Sequence, residues 1–178
     1  MNSELDIEEV RNEFACWITN YLNKPSEQYG GMKPCPFAQE SWDSGKVQVK
    51  IGCHSTVFFE LLDWDGSLDL SVVVFREDAI DGLEQECNAF NRGLSERGID
   101  LVCIPFVPSD GDEEDPEIDP ETWGATIDEA YGFVFIQELS RLNRASERLE
   151  VQGFYKSMSS EFMEYVHSRR NLEITNAR

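Results

Sequence analysis

The sequence predicts a single domain of α+β or α/β class, in which a sheet of about four strands is covered by helices. Apolar residues recur at helical spacing near both ends of the chain, and alternating or unbroken apolar runs lie between them. A strand–helix–strand order in the middle of the chain implies a parallel, right-handed crossover. With 178 residues, the chain is long enough to bury one sizeable core.

The first half of the chain contains clear elements followed by an ambiguous segment. Residues 56–64 have the apolar spacing of a helix, but the Asp65-Gly66 pair after them could equally turn a hairpin into the next strand. We favour the helix. The clear elements are helices over 6–23 and 36–44 and a strand over 47–51.

The second half contains the strongest strand signal. The unbroken apolar run that ends at Phe75 predicts a central strand covered on both faces. Pro105 places a later strand near an edge of the sheet or marks the end of that strand, because proline cannot donate to a strand ladder. The other elements are a long acidic loop at 108–130, strands over 68–75, 101–106 and 132–136, and helices over 79–97, 138–150 and 154–169. We expect residues 1–170 to form the domain and 171–178 a frayed tail.

The charge of the chain is strongly negative and unevenly spread. The net charge is −20, and the acidic loop holds ten acidic residues and no basic one. Because phosphates would be repelled, we expect no direct binding of nucleic acid. The loop lacks the ligand spacing of an EF-hand. It is either a solvated surface or a recognition segment for a basic protein partner, including one that mimics nucleic-acid charge.

Other features bound the class of protein. No run of 18 apolar residues exists, and the N-terminus lacks the pattern of a signal peptide, so we expect a cytoplasmic protein without a membrane partner. The five cysteines are odd in number, widely spaced and without a Cys-x-x-Cys pair. This pattern fits neither a disulfide framework nor a zinc ribbon. We predict no metal and no cofactor.

Cys35 has the best chemical case for a functional residue. Pro36 suits the first position of a helix, which makes Cys35 the predicted N-cap and predicts a lowered pKa for its thiol. Alternatively, Cys35 is a buried cysteine that acts as a small apolar residue. His54 follows the first strand and could reach Cys35 as a base, or it is an ordinary surface histidine. Cys53 and His54 are adjacent on a segment that we predict to be extended. Because successive side chains on such a segment point in opposite directions, the two are poorly placed to act on one atom.

A row of arginines is the second candidate site. Arg141, Arg144 and Arg148 are spaced so that they share one face of a helix. They could bind an anionic ligand or phosphate through their guanidinium groups. Alternatively, the row pairs with acidic neighbours, which this chain has in abundance.

Several short motifs carry a family resemblance. Cys35-Pro36-Phe37-Ala38, preceded by an amphipathic helix, resembles the start of a bacterial family of unknown function that is marked by Leu-Cys-Pro-Phe-Ala. Phe106-Val107-Pro108 is similar to the Phe-His-Pro of that family, and residues 142–148 are similar to its Leu-Arg-Glu-Ala-Ser-Val-Glu-Arg segment. Val107 stands where the family has histidine. If that histidine assists the cysteine, this chain lacks the base.

The same tetrad carries a second, weaker resemblance. Cys35-Pro36-Phe37-Ala38 is also similar to the active-site tetrad of omega-class glutathione transferases and of monothiol glutaredoxin-like proteins. There the tetrad directly follows the first strand of a thioredoxin fold, whereas the glycine- and proline-containing residues 29–34 cannot form a useful strand.

Two hypotheses about function follow from the sequence. The first is a thiol-dependent enzyme or small-molecule binder that uses Cys35, with His54 as its base. The alternative is a non-catalytic acidic module that binds a basic protein partner through the loop at 108–130.

Overall fold

The computed structural model describes residues 5–76, 79–108 and 131–172 of the chain. The helices are α1 Ile7–Trp17, α2 Ala38–Asp43, α3 His54–Leu62, α4 Leu83–Glu96, α5 Leu139–Gln152 and α6 Ser160–Arg170. The strands are β1 Val47–Gly52, β2 Leu70–Phe75, β3 Val102–Phe106 and β4 Gly132–Gln137. A π-helical turn at Ile18–Leu22 continues α1, and a 3₁₀ turn follows at Glu27–Tyr29. The predicted α+β class is confirmed.

The four strands form one mixed sheet in the order β1-β2-β4-β3. β1 and β2 are parallel neighbours joined through α3, while β4 lies antiparallel between β2 and β3. The predicted crossover through α4 therefore joins two strands of the same direction that are separated by β4. As a result, β1, β2 and β3 all end at the same edge of the sheet, which we call the carboxyl edge.

Both faces of the sheet are covered. β2 contributes alternate side chains to the two cores, which confirms the prediction of a central, doubly covered strand. The core beneath α3 and α4 comprises Val57, Val73, Phe75, Leu83, Cys87, Cys103, Val134 and Ile136. The core beneath α1 comprises Val10, Phe14, Val49, Val72, Val74 and Phe133.

The ambiguous segment before β2 forms a helix, and the hairpin alternative is wrong. α3 begins at His54, two residues earlier than predicted, because the residue before it caps the helix. Asp65-Gly66 does form a turn, in which the Asp65 carboxylate accepts a hydrogen bond from the Ser67 N–H at 2.8 Å. The turn connects a helix, rather than a strand, to β2.

The last predicted helix begins later than the sequence indicated. α6 starts at Ser160 rather than at residue 154, and residues 153–157 form turns. Gly153 ends α5 with a φ of 89°, and the buried Phe154 packs against the Tyr29 ring with centroids 5.0 Å apart. The predicted acidic loop lies outside the described residues except for Pro108, and the predicted tail lies outside them from residue 173.

β3 is an edge strand, as Pro105 predicted, and a side chain covers its outer backbone. The Asn91 amide of α4 donates to the Cys103 carbonyl and accepts from the Cys103 N–H, both at 2.8 Å. These two hydrogen bonds satisfy the backbone groups that a neighbouring strand would otherwise pair with, and so they keep this position of the edge from pairing with another chain. Among the described helices, none is long and apolar enough to cross a membrane.

One ion pair lies between α3 and the sheet. The Glu60 side chain is only 12% exposed and accepts a hydrogen bond from the fully buried Ser71 hydroxyl at 2.7 Å. Its other carboxylate oxygen pairs with the Lys50 ammonium. Since an ionised carboxylate in such a site needs its partners, these three residues stabilise the packing of α3 as a unit.

We expect Lys50→Met to lower the free energy of unfolding by about 1–3 kcal/mol, because it leaves the Glu60 carboxylate with one partner. Urea unfolding at pH 7 measures the change. Adding Glu60→Gln to this variant should restore part of the loss. Lys24→Met, at an exposed position, is the matched control. An equal loss of unfolding free energy in Lys50→Met and Lys24→Met would show that the ion pair does not stabilise the fold.

Candidate functional site

The carboxyl edge of the sheet brings together several side chains that could bind or react with a ligand. Cys53 and His54 directly follow β1, Arg76 follows β2, and Val107 follows β3. Pairing of Gly52 with Phe75 places the ends of β1 and β2 side by side. In sheets with parallel strands, ligands bind beyond the carboxyl ends of the strands, so this edge is the natural place for a site.

Local sequence fixes the position of Cys53 at this edge. The residue is extended, with φ −145° and ψ −176°, and is the N-cap of α3. Its N–H donates to the Thr56 hydroxyl at 3.1 Å, and its side chain accepts from the Thr56 N–H, which completes a capping box. Thr56 packs directly over Gly52, where an added Cβ would lie 2.4 Å from the Thr56 hydroxyl oxygen. The Gly-Cys-x-x-Thr order thus builds the turn.

The surroundings of the Cys53 sulfur favour the thiolate. The side-chain hydroxyl of Ser55, 3.1 Å from Sγ, is the largest cause of a pKa lowered to about 7. The backbone N–H groups of Ser55 and Thr56 and the Thr56 hydroxyl, 3.9 Å away, lower the pKa further. Because Cys53 is exposed, burial opposes these hydrogen bonds only slightly. The exposed Cys53 thiol is therefore roughly half ionised at pH 7.

His54 is engaged elsewhere. Its Nδ1 pairs with a carboxylate oxygen of Glu86 in α4, and its ring packs edge-on against Phe75, with centroids 5.4 Å apart. It therefore joins α3 to α4 on one face of the sheet. No described hydrogen bond connects His54 with Cys53 or with Cys35, so the structure does not bring together the predicted base and nucleophile.

Cys35 differs from its predicted role in two respects. α2 begins at Ala38 with Phe37 as its N-cap, so the prediction that Cys35 caps this helix is wrong. The Cys35 N–H donates to the Leu22 carbonyl at 3.3 Å, which holds the residue in a turn beside the end of α1. Burial raises the pKa of the Cys35 thiol, although the N–H groups of Phe37 and Ala38 oppose this. The predicted lowering of its pKa is wrong because desolvation outweighs the hydrogen bonds.

The arginine row lies on α5 as predicted, but its members are not equivalent. Arg141 pairs with Asp69, which also accepts a hydrogen bond from the Ser41 hydroxyl at 2.7 Å. Burial raises the pKa of Asp69, but these two partners outweigh it and hold the pKa below its usual value. Arg144 and Arg148 are exposed and form no ion pair with the described residues. Arg141 is thus already paired with a carboxylate, whereas the other two arginines are not, and anion binding by the row stays a prediction.

An acidic cavity of about 650 Å³ runs along the outer side of α1. The described residues that line it belong to α1, its cap and its π-helical continuation, and they include carboxylates, two aromatic rings and a thiol. They are Asp6, Glu8, Glu9, Asn12, Glu13, Cys16, Trp17, Asn20 and Tyr21. Within the described part of the chain, no group of three or more metal-ligating side chains is placed to hold a metal ion.

Sequence reasoning singled out Cys35 and missed the chemistry of Cys53. It treated Cys53 and His54 as part of an extended segment, whereas His54 is the first residue of a helix. A signal was present in the spacing alone, because Cys53 and Thr56 are three residues apart like the two members of a capping box, with cysteine in place of serine or threonine and threonine in place of glutamate or glutamine. Reading that spacing would have placed the sulfur among the free N–H groups of a helix N-terminus.

We expect Ser55→Ala to raise the pKa of Cys53 above about 7, because it removes the largest of the hydrogen bonds that favour the thiolate. The pH dependence of iodoacetamide alkylation at Cys53, followed by peptide mass spectrometry, gives the midpoint. Ser157→Ala, at an exposed serine on the turn before α6, is the control and should leave the midpoint unchanged. An unchanged midpoint in Ser55→Ala would contradict this account of the thiolate.

Gly52→Ala tests the packing that holds the capping box. The added methyl must displace Thr56, so we expect the pKa of Cys53 to rise and stability to fall by about 1 kcal/mol, the usual contribution of a cap. Gly93→Ala within α4 meets no atom within 4 Å and should be neutral or stabilising. Urea unfolding and the alkylation midpoint measure both effects. Equal behaviour of the two variants would rule out the close approach of Thr56.

Comparisons of the chain with protein-family models, with curated proteins and with solved structures find no match. Membership of the family marked by Leu-Cys-Pro-Phe-Ala therefore stays a prediction that rests on the quoted motifs.

Proposed function

We propose that this protein acts through the Cys53 thiolate, as a nucleophile toward small electrophiles or disulfides at the carboxyl edge of the sheet. One observation carries the proposal: the Cys53 sulfur is exposed and its pKa is lowered to about 7 by hydrogen bonds from Ser55 and Thr56. The proposal keeps the thiol-dependent class predicted from the sequence. It moves the reactive residue from Cys35 to Cys53.

The other cysteines lack this combination. Cys87 and Cys103 are buried in the core beneath α3 and α4, where a hydrogen bond between them and burial raise the pKa of Cys103. Burial raises the pKa of Cys35 as well. Cys16 is exposed, but its sulfur has no hydrogen-bond partner among the described residues. Cys16 is therefore the internal control: it shows how fast an exposed cysteine of this protein reacts without hydrogen bonds to its sulfur from the described residues.

The proposed reaction with a disulfide needs no base. The Cys53 thiolate attacks one sulfur of a small disulfide, the S–S bond breaks, and the other half leaves as a thiolate. The product is a mixed disulfide on Cys53, and a second small thiol reverses the step. Ser55 and the N–H groups of α3 contribute by stabilising the negative charge on sulfur before the attack.

The size of the expected effect follows from the pKa. At pH 7 a thiol with a pKa of about 7 is roughly half ionised, against roughly 3% for an ordinary cysteine. Its lower basicity weakens its intrinsic nucleophilicity roughly fivefold. The net advantage over an ordinary exposed cysteine is therefore roughly threefold at pH 7. It shrinks as the pH rises, because the Cys53 thiol gains little further thiolate.

The test is competition between cysteines of the native protein. We expect oxidised glutathione to modify Cys53 roughly three times faster than Cys16 at pH 7, with the ratio falling toward pH 9. Peptide mass spectrometry at short times measures both rates. Cys53→Ser should remove the fast phase and Cys35→Ser should leave it unchanged. Faster modification of Cys16 or Cys35 than of Cys53 at pH 7 would overturn the proposal.

The alternative function, binding of a basic protein partner through the acidic loop, depends on residues outside the described part of the chain. It stays a prediction for that loop. The acidic cavity along α1 is compatible with a cationic ligand, but its described lining is one side of a single helix.

A further inference from the structure

α3 is apolar on the side that faces solvent as well as on the side that faces the sheet. Phe58, Phe59 and Leu62 are 46%, 58% and 64% exposed, and they lie within little more than one turn of the helix, with Leu62 three and four residues after the two phenylalanines. Phe58 contacts Phe59 edge-on and stacks against Phe90 of α4, with centroids 5.9 and 6.5 Å apart. We call Phe58, Phe59 and Leu62 the α3 patch. A helix that has apolar side chains on its solvent face in addition to those over the core normally has a cover for both faces.

The size of the α3 patch limits what covers it. From the exposed fractions of its three side chains, the patch presents on the order of 300 Å² of apolar surface. This is at the lower end of the range for the largest apolar patches on monomers, and it is below the roughly 500 Å² of apolar surface that a stable dimer of standard size buries per partner. The area therefore fits a short segment of another protein better than a second copy of this chain.

The charges around the α3 patch indicate the chemistry of that segment. Asp63 and Asp65 follow the patch directly and are exposed. The basic side chains nearest to the patch in sequence, Lys50 and His54, already contact the carboxylates of Glu60 and Glu86. In a chain of net charge −20, a second copy would bring like charges together. A basic partner would instead gain from these carboxylates.

We propose that the α3 patch docks a short, basic amphipathic helix of a protein partner. Phe59 and Leu62, which are the most exposed members, enter the apolar side of that helix. Asp63 and Asp65 pair with its lysine or arginine side chains at the rim. This surface is separate from the Cys53 thiol in its chemistry, since docking needs no ionised sulfur.

The test uses a labelled amphipathic helix of about 18 residues made of leucine and lysine, with a leucine–glutamate peptide as its counterpart. We expect the native protein to bind only the lysine peptide in fluorescence anisotropy. Phe59→Ser with Leu62→Ser should weaken binding about tenfold or more, although the net charge is unchanged. Val151→Ser, at an apolar residue of α5 that is 90% exposed, should have no effect.

Further variants and measurements distinguish docking on the patch from attraction by net charge alone and from pairing with a second copy of the chain. Asp63→Asn with Asp65→Asn should weaken binding and reduce its dependence on salt, because rim charges act through screened attraction. Circular dichroism and melting temperature confirm that each variant is folded. Unchanged binding in Phe59→Ser with Leu62→Ser would show that only net charge attracts the peptide and would overturn the proposal. A dimer in light scattering that these serines dissociate would assign the patch to a second copy and overturn it as well.

Discussion

Strand β2 must be covered on both faces, because its side chains from Ser71 to Phe75 are at most 1% exposed. α3 and α4 pack on one face of the sheet and α1 packs on the other. The positions of these helices therefore follow from the burial of both faces of β2. Even the polar residue of this strand needs a partner there. Ser71 bonds to Glu60, and Glu60 in turn requires Lys50.

The start of α3 couples the fold to the candidate chemistry. Gly52 ends β1 and leaves room for Thr56, and Thr56 closes the capping box around Cys53. The hydrogen bonds that begin the helix are therefore among those that favour the Cys53 thiolate. The Thr56 part of this stabilisation therefore serves both the turn and the thiolate, whereas the Ser55 hydroxyl, which has the largest effect on the pKa of Cys53, lies outside the capping box.

Some of the described carboxylates are paired with basic side chains, and the unpaired ones lie on separate parts of the surface. Among the described residues, basic side chains and carboxylates meet in five pairs that join neighbouring elements: Lys50–Glu60, His54–Glu86, Arg141–Asp69, His167–Glu150 and Arg170–Glu150. The carboxylates that remain exposed include those along α1 and those after α3. An acidic protein of this kind therefore presents separate surfaces to a cationic partner rather than one uniform field.

The sequence by itself determined the fold class, the central strand and the edge position of β3, because each depends on apolar periodicity or on the chemistry of proline. It also placed the helices with errors of a few residues, the largest at α6, where Gly153 and the buried Phe154 impose a turn. Only the tertiary structure decided the order of the strands, since β4 enters between β2 and β3 from far along the chain. It also decided which thiol is activated. Desolvation around Cys35 and exposure of Cys53 depend on packing between distant residues, and local sequence does not encode that balance.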